Sequence, residues 1–212
     1  MAEKKISEFQ KEEKAGQGED LVKQLAERIR GKTVVLFGEP LIGKTTLVHY
    51  LSKYYEKPLL LKVDNNYGDE YKSINPNLKY LDTPSFEKLM YYLDKASSFD
   101  NDLIIIDSLT SLASEILSKG NLSPKDYNRL ASMYDIVTFK ASRLKPKTIV
   151  IVAHERIVDF KTGEVGPRMN KVALRNVDML VRLYKDEEGK RHVKIIAERK
   201  PTIVKPEFTL EE

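Results

Sequence analysis

Cysteine is absent from the 212 residues of this chain. Disulfide bonds, thiol catalysis and zinc sites built on cysteine are therefore excluded. Long apolar runs are also lacking, because the longest are the length of a β-strand, and we expect no membrane span. The opening residues Met1 to Lys5 lead into no apolar stretch. We therefore expect no signal peptide and a cytoplasmic protein.

A strong excess of one charge sign is missing too. The 36 basic and 32 acidic residues give a formal net charge of +4, which allows nucleic-acid binding without requiring it. The length suits one α/β domain with a sizeable core. Residues 1–18 are polar and contain two glycines near their end, so we expect a flexible arm followed by one core domain over residues 19–212.

A glycine-rich loop is the most informative stretch that is present. It matches the phosphate-binding pattern G-x-x-x-x-G-K-[ST]. An apolar, β-rich run precedes it, and apolar residues at helical spacing follow it, as expected for strand, loop and helix. The candidate nucleotide-binding residues are Gly38, Glu39, Pro40, Leu41, Ile42, Gly43, Lys44, Thr45 and Thr46.

The residue types in this loop suit a polyphosphate. Gly38 and Gly43 allow the backbone to approach the phosphates closely. The loop N–H groups and the start of the next helix can point at the anion. Lys44 can reach the β- and γ-phosphates, and the Thr45 hydroxyl can bind Mg²⁺. The expected ligands are therefore ATP and Mg²⁺.

Strand-like and helix-like segments alternate through the rest of the chain, and the last long segments form a hairpin pattern. This order predicts an α/β fold, a mostly parallel sheet flanked by helices with an antiparallel C-terminal end. The predicted strands are 33–37, 58–64, 78–81, 103–107, 148–153, 178–184, 192–198 and 208–210. The main predicted helices are 19–30, 84–97 and 123–143, and residues 161–171 are predicted to form a loop.

A carboxylate ends one of these predicted strands. Asp107 follows the apolar residues Leu103 to Ile106, about sixty residues after Lys44. P-loop proteins hold Mg²⁺ with the loop Ser or Thr and with an Asp placed in this way. Asp107 is thus the second candidate metal ligand beside Thr45. Alternatively, Asp107 or Ser108 caps the helix that follows.

In its phosphate loop, its Asp107-Ser108 pair and its C-terminal hairpin, the chain resembles the RecA/RadA-like P-loop ATPases. The resemblance extends from about Gly31 to the C-terminus and includes archaeal RadA paralogs and phage-type recombination ATPases. It implies a RecA-type twisted sheet and binding of ATP and Mg²⁺. It also implies action on single-stranded DNA, or on a recombinase or other repair protein.

The resemblance also assigns catalytic positions. Lys44 would serve the phosphates. His154 stands where recombinases have a glutamine that senses the γ-phosphate, although a neutral histidine at a strand end is an equally good interpretation. Asn66 stands where the family has a catalytic glutamate. Asparagine cannot accept a proton from the attacking water, although it can orient that water.

Slow or partner-dependent hydrolysis follows from this difference, unless Asp64, Asp69 or Glu70 replaces the glutamate. A second difference concerns assembly. The family's filament motif, Phe-x-x-Ala, is missing, since Phe9 is followed by Gln10, Lys11 and Glu12. An N-terminal helix-hairpin-helix domain is also missing. We therefore expect a monomer or small homo-oligomer that does not exchange strands by itself.

Two groups of basic residues occupy positions that the family uses. One group lies in or near the loop that faces DNA in the family, and it comprises Lys161, Arg168, Lys171 and Arg175. The other, Arg199 and Lys200, follows the last long strand, where relatives place cations that reach a neighbouring subunit's γ-phosphate. Ordinary surface charge is the alternative for both groups.

The first hypothesis is therefore a weak Mg²⁺-dependent ATPase of DNA recombination or repair that binds single-stranded DNA, a recombinase or both. The second is a nucleotide-gated regulatory ATPase of the KaiC-like kind, without DNA. A nucleoside or shikimate-type kinase is a third, weaker candidate, because the sequence has no arginine-rich lid and such kinases lack the C-terminal hairpin.

Overall fold

The structure is a computed structural model that describes residues 20–63, 69–113, 116, 121, 123–199 and 207–210. Within these residues nine strands are present. The strands are β1 (Thr33–Gly38), β2 (Pro58–Lys62), β3 (Lys79–Asp82), β4 (Leu103–Asp107), β5 (Thr148–Asp159), β6 (Glu164–Pro167), β7 (Met179–Lys185), β8 (Arg191–Glu198) and β9 (Glu207–Leu210).

Helices connect these strands. Residues 20–29 form α1. The others are α2 (Lys44–Ser52), α3 (Asp69–Ile74), α4 (Phe86–Lys95), α5 (Leu109–Leu112), α6 (Pro124–Ser142) and α7 (Lys171–Leu174), with a short 3₁₀ turn at Ala96–Ser98. Two helix starts are capped as their sequences indicate. Ser85 accepts a hydrogen bond from the Lys88 N–H, and Ser123 with Asp126 forms a capping box.

The sheet order is β3-β2-β4-β5-β1-β7-β8-β9, and β6 pairs with β5. The strands from β3 to β7 in this order pair in parallel. Strand β8 is antiparallel to both β7 and β9. The predicted α/β fold with a mostly parallel sheet and an antiparallel C-terminal hairpin is therefore confirmed.

Both faces of the sheet are covered by apolar layers, as expected for a parallel sheet. Alternate residues of β1 enter the two layers. Val35 and Phe37 pack with α4, α5 and α6, whereas Val34 and Leu36 pack with α1 and α2. The central strand is thus fully buried, and its carboxyl end has a fixed position between the two helical layers.

The largest error in the strand predictions concerns β5 and the loop after it. We predicted that β5 ends at Ala153 and that residues 161–171 form a loop. Instead β5 continues to Asp159 and pairs antiparallel with β6, and α7 begins at Lys171. The β-branched residues Ile157 and Val158 favour a strand, and Gly163 lies in the turn with φ of 70°.

Several predicted features lie outside the described residues. They are the N-terminal arm, most of the segment after β2, and Lys200. The domain boundaries at residues 18 and 19 also stay a prediction.

Candidate nucleotide-binding site

The phosphate loop lies at the carboxyl edge of the sheet. It connects Gly38, the last residue of β1, to Lys44, the first residue of α2. Because β1 is flanked by β5 and β7, neighbouring strands end beside the loop. Side chains that are far apart in sequence therefore meet at this edge.

Two glycines in the loop are required for different reasons. Gly43 has φ of 101°, in the left-handed region that favours glycine. Gly38 is required by its neighbour, since a Cβ atom at this position would lie 2.2 Å from the Leu183 carbonyl oxygen on β7. The first glycine thus allows the close approach of two strands, and the second allows the turn into α2.

Lys44 is the most buried charged group of the loop, with 6 % of the residue exposed. Its Nζ donates to the Gly38 and Glu39 carbonyl oxygens, at 3.0 and 2.5 Å. Burial lowers the pKa of Lys44, and the nearby charges of Asp107, Glu155 and Glu39 partly oppose that shift. The ammonium is therefore held inside the loop in a setting that favours an anionic ligand.

Thr45 and Asp107, the two candidate metal ligands, are in direct contact. The Thr45 hydroxyl donates to Asp107 Oδ2 over 2.8 Å, and the Asp107 residue is 3 % exposed. Ser108, and not Asp107, caps the helix that follows. Its hydroxyl accepts from the Ser111 N–H at 3.3 Å and caps α5. Capping by Ser108 leaves the Asp107 carboxylate directed at the phosphate loop.

The chemistry of this oxygen pair fits Mg²⁺. Magnesium is usually held in such sites by one or two protein oxygens, with phosphate and water oxygens completing the octahedron. A hydroxyl and a carboxylate 2.8 Å apart supply this small set. Among the described residues no group of three or more histidines or carboxylates is placed to hold a metal by itself.

His154 lies inside β5 rather than beyond its end. It is the residue in register with Gly38 of β1, and its N–H donates to the Thr110 hydroxyl at 3.2 Å. The next residue, Glu155, forms an ion pair with Arg182 of β7, whose Nε lies 3.0 Å from Oε2. His154 therefore lies on the strand next to β1, beside the start of the phosphate loop.

A buried histidine behind the loop was not identified from the sequence. His49, on α2, places Nδ1 2.7 Å from the Thr45 carbonyl oxygen and Nε2 3.2 Å from the Tyr80 hydroxyl. Because a carbonyl accepts, Nδ1 carries the proton and Nε2 accepts from Tyr80. Burial lowers the pKa of His49, so the neutral ring ties α2 to β3.

Arg191 was also missed. Its Nε donates to the Ile42 carbonyl oxygen over 3.1 Å, although the two residues are 149 positions apart. A Cβ atom at Gly43 would lie 3.5 Å from that Nε. Local sequence gave no signal for this contact, because it depends on the position of β8 relative to the loop.

The four basic residues predicted for DNA are all exposed on the elements that follow β5. Lys161 lies in the turn between β5 and β6, and Arg168 directly follows β6. Lys171 begins α7, and Arg175 caps its end. Exposed apolar side chains accompany them on this hairpin, with Phe160 86 % exposed.

Arg199 lies at the opposite edge of the sheet from the phosphate loop of its own chain. Its N–H donates to the carbonyl oxygen of Asp178, the residue before β7. Arg199 is therefore remote from the phosphate loop of its own chain. Asn66, Asp64 and Lys200 lie outside the described residues, and Asp69 and Glu70 begin α3.

A P-loop in this sheet order, with a strand-end aspartate on the loop threonine, defines a P-loop ATPase core of the RecA-like type. The family described as "AAA domain" matches residues 30–201. The chain belongs to this AAA-domain family. The matched region includes the phosphate loop, Asp107 and the C-terminal hairpin.

Solved structures show the same fold. The crystal structure of the RadB recombinase matches with a TM-score of 0.60 and 14 % identity, over 80 % of this chain and 82 % of that one. A KaiC-like protein from the hyperthermophilic archaeon Pyrococcus horikoshii OT3 matches with a TM-score of 0.58 and 14 % identity, over 85 % of each chain. At this identity the similarity shows the fold alone.

No curated protein sequence matches the chain significantly. In the part of the chain that the structure describes, no helix is both long and apolar enough to cross a membrane.

Proposed function

We propose that this protein binds ATP with Mg²⁺, hydrolyses it slowly, and acts in DNA recombination or repair by binding single-stranded DNA, a recombinase or both. The observation that carries the nucleotide part is the buried Lys44 inside the loop, next to the Thr45–Asp107 pair. The similarity in fold to the RadB recombinase supports the recombination part.

The proposed binding mechanism uses groups that are already in position. The loop N–H groups and Lys44 would bind the β- and γ-phosphates, and a negative ligand would compensate for the buried ammonium. Thr45 and Asp107 would hold Mg²⁺, which neutralises phosphate charge when it is bound. These groups lie on β1, α2 and β4, so the site is held by rigid elements.

Hydrolysis is expected to be slow because Asn66 replaces the glutamate that would accept a proton. His154, in register with Gly38, would contact the γ-phosphate and report whether it is present. We expect Asn66→Glu to raise the hydrolysis rate at least several-fold if the missing base limits turnover. An unchanged rate would place the base elsewhere or in a partner.

DNA binding is proposed for the exposed basic residues beyond β5. Lys161 lies in the turn of the β5–β6 hairpin and Arg168 directly follows β6, whereas Lys171 begins the adjacent α7 and Arg175 caps its end. Exposed cations on successive elements suit a phosphate backbone, and the exposed Phe160 offers a ring on which a base can stack.

The test is ATP binding and hydrolysis measured with and without single-stranded DNA, together with DNA affinity over a range of salt concentrations. We expect salt-dependent binding that weakens when Arg168 and Lys171 are both replaced by glutamine. The matched control neutralises Lys79 and Lys95, which are exposed on β3 and α4. ATP binding without DNA affinity at low salt, and without an effect on a recombinase, would contradict the DNA part.

The KaiC-like structure supports a second candidate, a nucleotide-gated regulatory ATPase with protein partners, since its TM-score is close to that of RadB. Both candidates predict ATP binding. They differ in DNA affinity, so the salt series and the Arg168/Lys171 variant decide between them.

A further inference from the structure

Arg191 is held against the phosphate loop by a strand of the sheet. It is the first residue of β8 and pairs with Lys185 of β7 and Leu210 of β9. Its Nε donates to the Ile42 carbonyl oxygen at 3.1 Å. The residue is half-buried, so the guanidinium is positioned before any ligand binds.

The face on which Arg191 lies is the face of the nucleotide site. Val193 and Ile195 alternate with it along β8 and belong to the apolar layer that contains α2. Residues two apart on a strand share a face, and α2 carries Lys44 and Thr45. The Nε, Cδ and Cζ atoms of Arg191 would lie 3.5 to 3.9 Å from a Cβ atom at Gly43.

The strand order predicts how a bound nucleotide would be oriented. Asp107, which would hold the metal, ends β4 on one side of β1, whereas β8 lies on the other side. In P-loop proteins the metal bridges the β- and γ-phosphates. With the metal on Asp107, the γ-phosphate would lie toward β4, and the α-phosphate and nucleoside would lie toward β8 and Arg191.

A second cation strengthens this assignment. Lys185 is directly opposite Arg191 in the β7–β8 pair and is exposed. Opposite residues of an antiparallel pair share a face, and like charges in this arrangement are destabilising. A phosphate bound near this pair would be attracted by both cations.

We propose that Arg191, assisted by Lys185, binds the α-phosphate of the nucleotide in its own subunit, a role that rests on the proposed ATP binding. A guanidinium has five N–H donors in a planar fork, so it can donate to the loop and to a phosphate oxygen together. Arg191 is then a nucleotide-binding residue as well as a support for the loop.

The experiment measures the dissociation constants of ATP, ADP and inorganic tripolyphosphate for the wild type, Arg191→Gln and Arg191→Lys. We expect Arg191→Gln to weaken all three ligands by about 10-fold, as for loss of a charge-assisted hydrogen bond. Arg191→Lys keeps the charge and should stay within about 3-fold of the wild type. The salt dependence of ATP affinity should also be smaller in Arg191→Gln.

Each contrary result has a definite meaning. Equal losses in Arg191→Gln and Arg191→Lys with unchanged salt dependence would make Arg191 a loop support and overturn the proposal. A loss of affinity for ATP but not for ADP would place Arg191 at the γ-phosphate and would also overturn the proposal. Unchanged affinity for tripolyphosphate would place Arg191 at the nucleoside, with the same consequence.

The matched control is Lys190→Gln, which removes a neighbouring exposed charge that is paired with Glu188. It should leave all three dissociation constants unchanged, and an equal effect in this variant would also overturn the proposal. Failure of the wild type to bind ATP would contradict the proposed function itself. Tight binding by the wild type with an unaffected Arg191→Gln would contradict this inference alone.

Discussion

The two edges of the sheet use charged residues in opposite ways. At the amino edge, Glu198 accepts from Arg28 at 2.7 Å and from Lys32 at 2.6 Å. These ion pairs join β8 to α1 and to the segment between α1 and β1. At the carboxyl edge, Lys44 donates to backbone carbonyl oxygens. Charge at the amino edge is neutralised within the fold. The carboxyl edge also contains an ion pair, Glu155 with Arg182, but we propose that the Lys44 ammonium at this edge serves a bound phosphate.

Two other carboxylates at the amino edge also have their partners within the fold. Asp178 accepts from the Thr33 N–H and from Lys145, and Asp102 accepts from the backbone N–H groups of Glu56 and Lys57. Such contacts satisfy strand ends and turns. We therefore expect a variant at the amino edge to change stability without changing ligand binding. We expect a variant at the phosphate loop to change ligand binding with little change in stability.

The largest effect is expected for Lys44→Ala. Removal of the ammonium should weaken ATP binding by on the order of 100-fold. The free energy of unfolding should change much less than the binding free energy. A pKa lowered by burial means that the charge opposes folding, so its removal offsets the loss of the hydrogen bonds to Gly38 and Glu39. Titration calorimetry and urea unfolding measure the two quantities.

The control is Lys57→Ala, since Lys57 is exposed at the amino edge and paired with Asp100. ATP affinity that survives in Lys44→Ala would show that the loop does not bind phosphate.

Glu198→Gln should lower the stability of the fold and leave ATP binding unchanged. The Glu198 side chain is 4 % exposed, and neutralising it leaves two partly buried cations with a weaker partner. We expect a loss of about 2 kcal/mol in unfolding free energy with unchanged ATP affinity. Glu188→Gln, at an exposed ion pair with Lys190, should cost less than about 0.5 kcal/mol. A change in ATP affinity in Glu198→Gln would break the separation of the two edges.

Asp107→Asn should weaken the Mg²⁺-dependent part of ATP binding by about 10-fold, because an amide is a poorer ligand for a hard cation. Binding measured in the presence of a chelator should change much less. Asp102→Asn, a carboxylate at the amino edge, serves as the control and should bind ATP normally. The same loss with and without Mg²⁺ would exclude a metal role for Asp107.

The smallest expected effect is the pH dependence of the stability that Glu198 contributes at the amino edge. Burial raises the pKa of Glu198, but hydrogen bonds from Lys32 and Arg28 outweigh it, and the net pKa lies below the usual 4.5. A carboxyl whose pKa is lowered in the folded state contributes stability above its unfolded pKa and loses it as the pH falls through the folded pKa.

Urea unfolding of the wild type and Glu198→Gln at pH 7 and at pH 3 measures this contribution. We expect the difference in unfolding free energy between the two proteins to shrink at the lower pH. A constant difference would show that the charge of Glu198 does not stabilise the fold.

The sequence predicts those parts of the candidate site that depend on residues close together in the chain. The phosphate loop is a continuous pattern, and Asp107 follows an uninterrupted apolar strand, so their meeting at one edge could be predicted. The extension of β5 could not, because charged residues such as Glu155 and Arg156 interrupt the apolar pattern there. Contacts between distant residues, such as Arg191 with Ile42, depend on strand order and were missed for that reason.

Gly38 shows how the sequence of such a protein can drift over evolution. Its lack of a side chain is required by the Leu183 carbonyl oxygen of β7, whether or not a nucleotide binds. A descendant that lost ATP binding would be free to change Lys44 but would keep Gly38 to preserve its sheet. The first glycine of the pattern is thus required by the packing of the sheet, whereas the lysine is required only by the proposed ligand.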